Sequence, residues 1–280
     1  MSARLVRAVA KGPVYALLVV VALLWLLPTV GLFVASLRPA ADNAQSGWWH
    51  ALTDPATLTL DNYRSLLGEA SFRRSVLNTV MISLPATIGV VLIGSLAAYA
   101  FAWVRFRGRD VLFLAVVALL VVPLQVGLIP VADLYGRLNI MGSLLGVVLY
   151  HIAFGLPLAV FLLRNFFVGI PHELLEAARM DGAGEIRIFV QVVLPLGWPA
   201  IASLAIFQFL WTWNDLLIGL VFADASSSPI TVAIREQTRQ FGNNIDIIAP
   251  GAFISMVVPL LVFFAFQRYF VQGILAGAEK

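Results

Sequence analysis

The sequence predicts an all-α membrane protein: six transmembrane helices in one domain over residues 1–280, with a helix–turn–helix outside the bilayer between the fourth and fifth. Three observations predict it. Hydrophobic residues make up 61% of the 280 and charged ones only 12%, where a soluble domain carries about 25% charged residues. Mean hydropathy is +0.94. Six apolar runs approach or exceed the roughly 20 residues that a helix needs to cross the hydrocarbon. Charge is concentrated instead in PHELLEAARMDGAGEIRIFVQVVLPLGWP, residues 171–199.

The first run is Val14–Leu37. It follows Arg4, Arg7 and Lys11 as a signal peptide would, but it is much longer than the 7–15 residues of a cleavable apolar region, so it reads as an uncleaved anchor. The others are Val76–Trp103, Val111–Val131, Leu144–Leu163, Trp198–Val221 and Ala252–Phe270. Pro28, Pro85, Pro123, Pro157 and Pro259 lie inside runs. A bundle tolerates them, because neighbouring helices can satisfy the freed backbone groups.

Orientation follows the Lys and Arg residues near the span ends. With both termini in the cytoplasm, eleven basic residues lie inside and seven outside. The RFRGRD turn at residues 105–110 votes most clearly for this, while Arg73 and Arg74 vote against it. The long outer segments are then about 38–75 and 222–251, and Trp48-Trp49 in the first suits the headgroup region. The location implied is the cytoplasmic membrane of a bacterium.

Residues 171–199 then lie in the cytoplasm. Pro171 fits a first helical turn, and Glu173 and Glu176 suit the positive end of the helix dipole. Gly182 fits a left-handed cap and Gly184 frees the turn further. A second helix opens at Glu185, with apolar Ile186, Phe189, Val190 and Val193 at helical spacing before Pro195 and Pro199. In the first helix Ala177 and Ala178 stand beside Leu174 and Leu175, small residues that let another surface approach the backbone. These residues alone leave a docking helix and a solvated hairpin about equally supported.

Within the runs, Asp215 next to Asn214 is an ionisable group of the kind that marks a pathway by default. An interhelical hydrogen bond, or a position close enough to the helix end to meet water, explains it as well. Asn78, Gln125 and His151 pose the same choice. Sugar recognition uses amides and carboxylates beside aromatic faces, which Trp211, Trp213, Asn214 and Asp215 supply; helix periodicity keeps all four from facing one cavity. There is no cysteine, no GxxxxGK[ST] phosphate loop, no HExxH and no paired-carboxylate motif on a soluble loop. No catalysis is readable, no cofactor is expected in this chain, and arginines spread along membrane flanks exclude a nucleic-acid footprint.

The string EAARMDGA, followed by Phe189, Leu194-Pro195 and Pro199, closely resembles the EAA signature of ABC importer permeases. LDNYRSLL in the first outer loop, LNTV at 77–80, Trp213-Asn214-Asp215 and QRYFVQGILAG near the end look like carbohydrate-uptake permeases, above all the second membrane subunit of maltose and other oligosaccharide transporters. SGWW at 46–49 is similar to α-glucoside-type permeases. The resemblance covers the whole chain. It implies that the first helix of the hairpin is a coupling helix seated in a cleft of an ATPase subunit, with Glu176, Ala177, Ala178, Asp181 and Gly182 as docking positions. Gln272 and Gly273 would also reach the ATPase. It further implies a second homologous permease, two ATPase subunits that carry the ATP and magnesium, and an extracytoplasmic sugar-binding protein. Asn78, Gln125, Trp211, Asn214 and Asp215 are the candidate substrate-pathway residues. The rival is an ion-gradient-driven secondary transporter, which would call for an inverted repeat and buried acidic coupling sites.

Overall fold

A computed structural model describes the backbone of residues 3–241 and 244–278, and the side chains of these except residues 3–11, 56, 238–241 and 268–278. Among the described residues the chain forms thirteen α-helices and no strand. They are α1 (Ala3–Ser36), α2 (Ala40–Gln45), α3 (Asp61–Gly68), α4 (Ala70–Trp103), α5 (Arg109–Ala118), α6 (Leu128–Arg137), α7 (Leu144–Phe167), α8 (His172–Met180), α9 (Glu185–Ile188), α10 (Leu194–Trp213), α11 (Leu217–Phe222), α12 (Ile230–Phe241) and α13 (Ile245–Ala278).

Among the described residues five helical stretches are long and apolar enough to cross a membrane: Gly12–Ser36, Ala70–Trp103, Leu144–Phe167, Glu185–Trp213 and Ile245–Gln267. The count becomes six if the bent pair Arg109–Val121 and Leu124–Arg137 is one span.

That pair corrects the third expected span. Val111–Val131 is not one helix; its two halves meet at 96°. Pro123 removes a backbone donor and pushes the preceding residue out of the helical region. Val122 accordingly takes φ −73°, ψ 117° and Pro123 φ −61°, ψ 132°.

The fifth span is also corrected at both ends. It begins at Glu185, without a separate second hairpin helix, because α9 runs into α10 through a π-helical segment, Phe189–Val193. In a regular helix the Pro195 ring would meet the carbonyl of Gln191, and the wider turns just before it relieve that clash. At the other end the apolar run stops being α10 at Trp213, and α11 resumes only after Asn214-Asp215-Leu216.

Contacts gather the chain into two units, residues 71–233 with 255–280, and residues 1–70 with 234–254. In the first unit, α4, α7 and α10 pack through small residues. A Cβ on Gly94 would lie 2.8 Å from the Ala159 Cβ, and one on Gly155 would lie 2.8 Å from both Gln208 Oε1 and Val90 Cγ2. Between lipid-facing helices apolar burial supplies little drive, so close backbone approach and dispersion hold the crossing. α4 divides cleanly: Ser75, Thr79, Ile82, Ala86, Val90 and Ala98 are buried, while Leu77, Met81, Leu84, Ile88, Leu92 and Leu96 are exposed, as a face turned to acyl chains requires.

In the second unit the chain turns back on itself after α1. Buried Arg38 donates to the carbonyls of Asp42 and Ser46, and Asn62 donates to those of Ser36 and Arg38. The Trp48 ring rests on Gly31, where a Cβ would meet Nε1 at 2.6 Å, and Phe33 meets Phe253 edge-on at 5.2 Å.

Gly155→Leu should lower the thermal stability of the detergent-purified protein by about 1–3 kcal/mol, the usual cost of overpacking a tight crossing. Leu92→Ala, on the exposed face of α4, should stay within about 0.5 kcal/mol. Equal effects of the two would contradict this packing.

Candidate functional site

The hairpin at residues 171–189 is built from its caps inward. Pro171 stands at the N-cap of α8 with φ −56°, one position before the first turn expected for it. The helix closes in a Schellman arrangement. Ala183 N–H donates to the Ala178 carbonyl and Gly182 N–H to that of Arg179, both at 3.0 Å. Gly182 has φ +79°, as its cap position predicted. Gly184 is ordinary extended backbone, φ −73° and ψ 161°, so the turn uses no second special conformation.

One side of the hairpin is anchored. Leu175 is fully buried among Phe167, Ile170, Ile188, Phe189 and Val193, in a cluster that extends to Tyr99, Leu163 and Leu204. Two residues expected on the buried face of the second helix are not there: Ile186 is 80% exposed and Val190 50%. Ile188 instead packs beside Phe189 and Val193, and the wider turns of the π segment from Phe189 to Val193 leave Val190 off that face.

The charges form a clamp. Arg179 Nε donates to Glu185 Oε1 at 3.1 Å, and the buried Tyr99 hydroxyl of α4 donates to Glu185 Oε2 at 2.5 Å. His172 Nδ1 lies 3.1 Å from Glu176 Oε1, and its ring packs on Trp103 with centroids 5.6 Å apart. The other side of α8 is open. Glu173, Leu174, Glu176, Ala177, Met180 and Asp181 are exposed, Met180 at 87%. Of the five positions expected to dock, Glu176, Ala177, Asp181 and Gly182 are exposed, whereas Ala178 turns inward against the cluster. Gln272 and Gly273 lie on α13, with side chains outside the described residues.

The five candidate pathway residues do not converge. Asn78 is buried, and its Nδ2 donates to the carbonyls of Ser226 (2.9 Å) and Ser228 (3.1 Å). Gln125 is exposed in the 3-10 turn after the Pro123 break. Trp211 and Asn214 share an exposed face of α10 with Phe207, the two rings 6.2 Å apart. Trp213 is buried on the other side and donates from Nε1 to the Ser255 carbonyl at 2.9 Å.

Asp215 caps α11, its Oδ2 accepting from Ile218 N–H at 2.9 Å and Gly219 N–H at 3.2 Å. His151 Nε2 stands 3.8 Å away, and the Thr231 hydroxyl donates to the Asp215 carbonyl. Thr79, Ser83 and Thr212 join His151 and Asp215 around a crevice too narrow for a water molecule. Sequence reasoning missed Gln208, 2% exposed, whose Nε2 donates to Thr212 Oγ1 at 3.1 Å. An amide four residues before a hydroxyl in an apolar run was the available signal.

The loop between α11 and α12 is itself tied down. Ser226 and Ser227 donate to the Asp224 carboxylate, and these hydrogen bonds hold its pKa below the usual carboxylate range. Ser227 Oγ reaches the Gly142 carbonyl at 2.8 Å, and Ile230 N–H donates to Thr79 Oγ1.

A family model described as "Binding-protein-dependent transport system inner membrane component" matches residues 90–276. The osmoprotective compounds uptake permease protein GgtD of Synechocystis sp. is 47% identical over 275 residues, 96% of this chain and 92% of that protein. The α-glucoside transport system permease protein AglG of Rhizobium meliloti is 48% identical over 235 residues, 81% of this chain but 62% of that one. The trehalose transport system permease protein SugB of Mycobacterium tuberculosis is 34% identical, with 91% and 92% covered. Among solved structures, a bacterial ABC transporter involved in import of the acidic polysaccharide alginate matches with TM-score 0.75 at 23% identity, covering 94% of this chain and 98% of that one. At that identity the likeness concerns the fold.

Gly182→Ala places a Cβ in the left-handed region at a cost of about 1–2 kcal/mol, with open space around it. Amide hydrogen exchange over residues 177–185 should quicken accordingly while α4 and α7 keep their protection. Gly184→Ala, at an ordinary φ and also in open space, should leave exchange unchanged.

Proposed function

The chain belongs to the binding-protein-dependent transport system inner membrane component family, and we propose that it forms half of the translocation pathway of an ATP-driven sugar importer. The observation that carries this reading is the hairpin: a short helix clamped to the bundle on one side, with Ala177 and Met180 uncovered on the other. A solvated return of the chain needs neither. A helix that must hand motion from a partner to the bundle needs both, a rigid seat and a free face with small residues for close approach.

In this reading the hairpin lies in the cytoplasm and docks through Glu176, Ala177, Asp181 and Gly182 into a cleft of an ATPase subunit. Six spans cross the bacterial cytoplasmic membrane, the bent α5–α6 pair counting as one, with both termini inside. A second homologous permease completes the pathway, two ATPase subunits bind ATP and magnesium, and an extracytoplasmic binding protein delivers the sugar. Relatives named for α-glucoside and trehalose transport support a sugar as cargo. The exposed face of α10 with Trp211 and Asn214 is the best-placed surface for that cargo. Asn78 and Asp215 act as scaffold, because their polar atoms are engaged by nearby backbone groups. That engagement also weighs against an ion-driven transporter, which would need Asp215 free to take up a coupling ion.

Glu176→Lys tests the docking face. An unpaired interfacial charge costs roughly 2–5 kcal/mol, so the variant should insert at normal abundance yet lose ATPase copurification and uptake. Normal uptake with the ATPase bound would sink the coupling role.

The absence of cysteine permits an accessibility test of orientation. In intact cells Ala225→Cys should react with an impermeant thiol reagent, and Arg107→Cys and Gly184→Cys only after lysis. Labelling of position 184 from outside would overturn the proposed topology.

A further inference from the structure

The turn between α4 and α5 serves the reading above only as a marker of orientation. Residues 105–109 are Arg-Phe-Arg-Gly-Arg, and their placement is fixed by a run of rings. Phe106 packs on Phe101 with centroids 5.9 Å apart, Phe101 packs on Phe113 at 5.7 Å, and the Arg164 guanidinium of α7 lies 4.6 Å over the Phe113 ring. Gly108, at φ +83°, completes the reversal.

The turn encloses an open cavity of about 450 Å³ lined by Arg105, Phe106, Gly108, Arg109, Asp110 and Val111. Its charge is not balanced. Asp110 is met by Arg109, whose Nε lies 3.1 Å from Oδ1. Among the described residues Arg105 has no carboxylate within ion-pair distance, which leaves the lining with a basic excess of one charge, and Arg107 beside it in the turn is likewise without one. Directly beyond the cavity α5 presents Val111 (73% exposed) and Leu114 (67%), with Ala115 and Ala118 on the same face. An unneutralised basic lip thus adjoins an uncovered apolar helix face.

We propose that this cavity binds one anionic phospholipid, its phosphodiester held chiefly by the Arg105 guanidinium and by the terminal nitrogens of Arg109, whose Nε faces Asp110, with an acyl chain lying along Val111 and Leu114. A guanidinium fork matches two phosphate oxygens at once. Each basic side chain at a membrane surface also adds appreciably to the attraction for anionic lipid. The apolar continuation is what selects a lipid over a free phosphate, which would gain nothing from Val111 or Leu114. The inference goes beyond the transport reading and requires only that α5 enter the bilayer.

The test is native mass spectrometry of the detergent-purified full complex incubated with phosphatidylglycerol, phosphatidylcholine or inorganic phosphate. The wild type should retain phosphatidylglycerol in preference to phosphatidylcholine. Arg105→Gln with Arg109→Gln should weaken that retention by roughly an order of magnitude or more, from the loss of two surface cations. Arg64→Gln, on exposed α3, should leave it unchanged. Arg105→Lys keeps the charge without the fork and should fall between, which separates loss of the site from loss of folding. Equal retention of the two lipids, displacement of phosphatidylglycerol by inorganic phosphate, or full retention by the double glutamine variant would each overturn the proposal.

Discussion

Glu185 joins parts of the chain that the sequence keeps far apart. Its two oxygens take hydrogen bonds from Arg179, on the helix before the turn, and from Tyr99, near the end of α4. Without that carboxylate the hairpin would rest on apolar contacts alone, and Tyr99 would leave a buried hydroxyl unpaired at a cost of about 1–3 kcal/mol. Apolar contacts resist separation but set orientation poorly. The directed bonds settle which face of α8 looks inward, and so which residues remain free for a partner.

Much of the rest of the bundle meets the demand that polar groups be satisfied without water, while the buried hydroxyls of Ser83, Thr87 and Ser95 on α4 find no partner. Asn78, Asp215 and Trp213 each direct polar atoms to backbone groups: the loop between α11 and α12, the start of α11 and the Ser255 carbonyl. Where satisfaction is not at stake, α4, α7 and α10 close in on glycine and alanine. Polar residues inside this bundle therefore serve chiefly as fastenings, and the groups open to solvent or a partner lie on exposed helix faces.

What could be read from the sequence follows the range of the physics involved. The left-handed cap at Gly182 was legible, since it depends on a local backbone preference, and so were the helical class and the position of the hairpin. Pro123 was visible but read as a tolerated proline. Whether a proline kinks a span or breaks it is decided by the packing around it, which one sequence does not contain. The π segment at 189–193 left no mark in composition, and a helical projection across it assigned Ile186 and Val190 to the wrong face. Asn78 and Asp215 were recognised as groups needing a partner. Their partners lie 148 residues away in one case and within four in the other, a difference that chain topology alone decides.

Both ends of α4 are made fast. Near its start Asn78 and Thr79 grip the segment that joins α11 to α12 at Ser226, Ser228 and Ile230, and near its finish Tyr99 grips the hairpin. At 1.5 Å per residue these grips are about 32 Å apart. The helix is thus a tie rod between the two faces of the membrane, with Pro85 as its one interruption. A push on the hairpin cannot stop at the surface where it is applied. It either tilts the rod and carries the segment before α12 with it, or it is taken up as bending at Pro85, and the stiffness of that single joint governs how far the opposite end moves.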